Sequence, residues 1–100
     1  MNDHVIAELA ICPIGTGTTE VSPYVRACIA VLKNTTGIKY ELNSMGTTIE
    51  GPLPLIMELF LKMNEVPFDM GVKRVYSVIK VDDRRDKTAS IEHKLEAVRG

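Results

Sequence analysis

The chain is poor in the residues from which catalytic and metal sites are usually built. It has two cysteines, Cys12 and Cys28, too few and too far apart for a disulfide framework, and no second pair of ligands completes a zinc motif. Two reduced core thiols in a cytoplasmic protein are the expectation. An excess of one charge is also lacking: 12 basic against 13 acidic residues leave a net charge of −1. That balance supplies no field to draw nucleic acid or an anionic membrane, so neither is expected as a partner. No apolar run reaches the roughly 18 residues of a membrane span, and the start Met1-Asn2-Asp3-His4 has no basic region of the secretory kind.

Recognisable machinery is missing too. Gly15-Thr16-Gly17-Thr18-Thr19 follows a strand and precedes a helix, where a phosphate cradle would sit. It lacks the third glycine of the dinucleotide fingerprint and the Gly-Lys-Ser/Thr ending of a P-loop, so a flexible surface loop that can wall a pocket is the simpler reading. The arginine-bearing glycine loop of acylphosphatases is absent, and no Ser/His/Asp or Cys/His grouping can be assembled. His4 lies near the terminus, and His93 faces away from Ile91 and Leu95 on the last helix. In Asp82-Asp83-Arg84-Arg85-Asp86-Lys87 the charges cancel, which reads as a solvated, self-paired turn, and the acids lack calcium-loop spacing. No enzyme, metal or cofactor is expected.

What is present is an ordinary globular composition, 45% hydrophobic and 25% charged over 100 residues. One domain spanning 1–100 is expected, with a core small enough to gain from oligomerisation. Val5 to Cys12 alternates as a strand, and Pro13 to Glu20 forms a loop. Ser22 and Pro23 open a helix carrying Val25, Cys28, Ile29 and Leu32. Lys39–Asn43 and Gly46–Gly51 make a hairpin. Pro52 and Pro54 start a second helix, which Pro67 should kink or break before Gly71 closes it. Arg74 to Asp82 alternates as the fourth strand, and Ser90 caps a final helix with Ile91, Leu95 and Val98 on one side.

The order βαββαβ, followed by a helix, is that of an α+β ferredoxin-like sandwich with an added C-terminal helix. Placing Leu9, Ile49 and Ile79 under the helices puts Glu8, Thr48, Glu50, Tyr76, Val78 and Lys80 on the other face of the sheet. That face reads either as a solvated surface with a Glu8–Lys80 ion pair or as a self-association surface, and the apolar Ile6, Ala10, Tyr76 and Val78 favour the second. Thr48 and Glu50 set a hydroxyl and a carboxylate side by side there.

Three segments carry a resemblance: Ile11-Cys12-Pro13-Ile14-Gly15-Thr16; Tyr40-Glu41-Leu42 with Gly46-Thr47-Thr48-Ile49-Glu50-Gly51; and Val78 through Lys87. In this order over nearly the whole chain they resemble the small, stand-alone thiamine-binding proteins related to YkoF. The resemblance implies a ferredoxin-like fold, sheet-to-sheet dimers that pair into homotetramers, and binding of thiamine or its hydroxymethylpyrimidine part without catalysis, as carrier, buffer or sensor. On that reading Glu50 meets the ligand's charge, and Thr48 and Thr47 lend hydroxyls. Ser44 approaches from the hairpin turn, and Glu8 supplements from the next strand. The loop from Pro13 through Thr16 closes one side, and Tyr76 offers an aromatic surface. A ligand-sensing regulatory module that contacts a partner protein is the alternative, with an enzyme acting on a phosphorylated small molecule third.

Overall fold

The structure, a computed structural model, describes residues 4–87 and 90–99. Met1 to Asp3, read above for a signal, lie outside the described residues, as do Thr88, Ala89 and Gly100 at the end of the expected domain. The chain runs β1 (Val5–Ile14), α1 (Ser22–Lys33), β2 (Lys39–Asn43), β3 (Gly46–Gly51), α2 (Leu53–Asp69), β4 (Arg74–Asp82) and α3 (Ile91–Arg99). The four strands form one antiparallel sheet in the order β2-β3-β1-β4. This is the ferredoxin-like arrangement with a C-terminal helix.

Alternation sends Val5, Ala7 and Leu9 of β1 and Ile49 of β3 to one face, where Cys28, Ile29 and Leu32 of α1 and Ile56, Leu59 and Met63 of α2 complete the buried core. Burying each large aliphatic side chain there contributes roughly 1.5–3 kcal/mol. Strand β1 is longer than its sequence suggests, because Pro13 and Ile14 continue the ladder opposite Val75 and Arg74. Pairing with β3 stops at Leu9–Thr47, so beyond that point β1 has a free edge on which a proline without an N–H is tolerated.

Pro67 does not break α2. It sits in the last turn, buried, and the helix runs on to Asp69. The N–H that Pro67 lacks would have bonded the carbonyl of Met63 four residues earlier. The Cys28 thiol donates to that carbonyl from α1, at 3.4 Å. Gly71 then closes the helix at φ 96°: its N–H donates to the Phe68 carbonyl and that of Val72 to Pro67, the paired bonds of a Schellman ending. At the start of α1 the cap is Val21, with no side-chain bond. Ser22 instead opens the helix, its hydroxyl donating to Glu20 at 3.2 Å.

Helix α3 is capped as its sequence predicts, the His93 N–H donating to Ser90 Oγ at 3.1 Å. Its apolar side is not buried as a unit: Ile91 is 8% exposed, Leu95 39% and Val98 87%. Ile6 is also buried, and neither it nor Ile91 belongs to the core under α1 and α2. Ile6 lies on the opposite face by alternation, Ile91 opens α3, and Lys94 ties α3 by an ion pair to Asp82, which stands opposite Ile6. The face left open in the sequence-based picture is therefore closed at one end. Among the described residues no helix is long and apolar enough to cross a membrane.

Candidate functional site

Glu50 is the focus of the closed end. It stands opposite Ile6 on β1 and Lys39 on β2, and it is only 3% exposed. A carboxylate so far out of water needs a hydrogen-bonding partner. His4 provides it: Nε2 lies 2.6 Å from Glu50 Oε2, with the imidazole donating and the carboxylate accepting. The sequence pattern gave no sign of this pair, because His4 precedes the alternating run and meets a residue 46 positions away.

Beside this pair lies a cavity of about 360 Å³ between the β2 edge of the sheet and the first turn of α3. Glu41, Glu50 and Glu92 line it with Lys39, Ile38, Tyr40 and Ile91, so three carboxylates meet one ammonium there, while Tyr40, opposite Ile49, and Ile38 pack their side chains against the core on the other face. Glu41 and Lys39 follow from the hairpin register, in which they oppose Thr48 and Glu50. Glu92 and Ile91 come from α3, and nothing in the periodicity of that helix says which part of the sheet it meets.

The remaining predicted site residues divide by position. Thr48 shares the Glu50 face, its hydroxyl accepting from Asn43 Nδ2 at 2.7 Å. Glu8 is opposite Thr48 and paired to Lys80 at 2.9 Å, the expected cross-strand ion pair. Thr47 lies on the other face, opposite Leu9 and Leu42 and buried, because neighbours on a strand point in opposite directions. It cannot join Thr48 from one side. Ser44 is exposed in the hairpin turn.

Pro13, Thr16 and Tyr76 belong to the far end. Tyr76 opposes Cys12 whereas Glu50 opposes Ile6, and six residues of strand separate them by about 20 Å at roughly 3.3 Å per residue. One small molecule cannot touch both within one chain. Pro13 is buried on the helix side. The Thr16 hydroxyl donates to the Thr18 carbonyl at 2.9 Å, and Thr18 Oγ1 accepts from the Glu20 N–H at 3.2 Å, so the loop's hydroxyls serve its own turns. Cys12, expected in the core, is exposed on this far end, while Cys28 is buried and its thiol is pushed up by desolvation.

The charged run after β4 pairs within itself. Arg84 grips Asp86 through two bonds of 2.6 and 2.9 Å, and Arg85 donates to Asp83 at 2.9 Å. The Arg84 bond holds the Asp86 carboxyl below its usual range.

A family model described as thiamine-binding protein matches residues 7–99. The chain belongs to the thiamine-binding protein family. Relatives in it include the UPF0045 protein YqgV of Bacillus subtilis, 42% identical over 96 residues that cover 93% of this chain and 92% of the relative. The UPF0045 protein MJ1052 of Methanocaldococcus jannaschii is 42% identical over 94 residues, covering 94% and 91%. Its crystal structure superposes with a TM-score of 0.88 at 40% identity, over 98% of both chains. A Thermotoga maritima structure, provisionally assigned to thiamine biosynthesis or salvage, gives a TM-score of 0.77 over 96% of this chain and 99% of the other. At 21% identity that likeness establishes a shared fold.

Proposed function

We propose that the protein binds thiamine, or its hydroxymethylpyrimidine part, without turning it over, as a carrier, buffer or sensor, and that the ligand sits in the acidic cavity with Glu50 as its charge partner. The observation that carries this reading is the surplus of carboxylates around Glu50 in a cavity of about 360 Å³, within the roughly 300–1,000 Å³ typical of small-molecule sites. Thiamine has a fixed positive charge on its thiazolium ring and a flat aminopyrimidine. The first is matched by Glu41, Glu50 and Glu92, and the second meets the apolar surface of Ile91.

The same reading assigns the far end of the uncovered face to self-association. Ala10 and Cys12 of β1 stand beside Tyr76, 65% exposed, and Val78, 42% exposed. A sheet-to-sheet dimer of this cytoplasmic protein would cover them, and two such dimers would make the tetramer.

Isothermal titration with thiamine and, in parallel, with hydroxymethylpyrimidine tests the proposal. Saturable heat is expected from the wild type, with the thiamine dissociation constant weakened by roughly 1–3 kcal/mol in Glu50→Gln. Equal binding by the variant would remove Glu50 from the site. Steady release of a chemically altered product would overturn the non-catalytic role.

A further inference from the structure

The carboxylate that the proposed function offers to a cationic ligand is already in use. Glu50 Oε2 accepts from the His4 imidazole at 2.6 Å, and the Glu50 side chain is only 4% exposed while that of His4 is 36% exposed. Glu50 nevertheless lines the cavity. An arriving cation therefore meets an acceptor that is covered from within the chain, and the group covering it is the one with access to water. His4 also precedes the first ladder pair, Val5 with Gly51, so turning it outward breaks no rung of the sheet. The ammonium at the site, Lys39, is across from Glu50 on β2 and exposed; the remaining charged cavity groups, Glu41 and Glu92, are acids and cannot compete for a carboxylate.

We propose that His4 is an internal competitor for Glu50: the ligand's cationic ring and the His4 imidazole use the same carboxylate, and binding displaces the imidazole from it. This rests on the thiamine reading of the cavity. It makes His4 an affinity-setting residue that the ligand replaces. The exchange is favourable to the protein only when a cation arrives, because removing His4 with nothing in its place would leave a buried carboxylate short of a donor. A neutral molecule with no donor at that position cannot repay that loss, so the exchange favours a cation over such a molecule.

The test measures thiamine binding by titration calorimetry in three full-length proteins, the wild type, His4→Ala and His4→Lys, each first checked for a cooperative melting transition and an unchanged mass in solution. A competitor predicts opposite signs. His4→Ala should bind about tenfold tighter, the equivalent of about 1.4 kcal/mol, and His4→Lys, with a permanent cation on a longer tether, should bind more weakly than the wild type. In the wild type the His4 ring resonances should move to solvent-like positions as thiamine saturates. If His4→Ala binds equally or more weakly, His4 supports the site and the inference is overturned while the thiamine reading stands. If neither the wild type nor His4→Ala binds thiamine, the thiamine reading itself falls.

Discussion

The two ends of the uncovered sheet face have the same strands and alternation but opposite environments. At the Glu50 end, Ile6, Ile91 and a carboxylate bonded to His4 are buried. At the Tyr76 end, about 20 Å away by strand rise, Tyr76, Val78 and Cys12 face water. The helix-covered face shows no such division, since its core runs continuously from Val5 to Met63. A face that must be filled has one solution along its length, whereas a face left by the two main helices can be divided between different tasks.

The contrast can be broken most strongly from the helix side. Ile49 is fully buried, and Ile49→Ala should cost about 2–5 kcal/mol in urea unfolding, through lost burial and the cavity left behind. At the exposed end the expected effect is on assembly. Tyr76→Glu should leave the fold intact and lower the mass seen by light scattering, and an unchanged mass would move the association surface elsewhere. Alkali should separate the two cysteines. Burial raises the Cys28 thiol, so the unfolded chain ionises it first; its contribution to stability is complete below the ordinary thiol range and is lost as pH rises through the shifted value. The alkaline loss of melting temperature should shrink in Cys28→Ala and persist in Cys12→Ala. The smallest change is expected midway along the uncovered face. The Glu8–Lys80 pair has side chains 45% and 72% exposed, so Lys80→Ala should shift stability by less than about 1 kcal/mol, and less again in high salt.

Much of the sheet was legible because a period of two leaves little freedom. Once Ile49 goes inward, Thr48 and Glu50 must share the other side, and Glu8 and Lys80 fall into register with them. The same rule excludes Thr47, and grouping it with Thr48 overlooked the alternation that had placed its neighbours. Pro67 misled for another reason. Its cost is that of a helix interior, but Pro67 stands in the last turn, and a thiol from α1, 35 residues away in sequence, gives the Met63 carbonyl a weak donor in place of the missing N–H. His4 and α3 were hidden more deeply. Periodicity shows which side of a helix is apolar, but gives no information on where along a sheet the chain returns after a loop. Tyr76 entered the expected site because it shares a face with Glu50, and a shared face says nothing of distance along it.

The bond from Cys28 to the Met63 carbonyl also bears on how the helix layer is aligned. Packing of aliphatic side chains is short-ranged but not directional, and two helices in contact can slide or roll by a fraction of an ångström at little cost. A donor aimed at one particular carbonyl acts as an index mark, fixing α1 against α2 in both rotation and translation. Because only Pro52 separates α2 from Gly51, the residue after Glu50, the mark also indexes α1 to the strand end on which the acidic cavity is built.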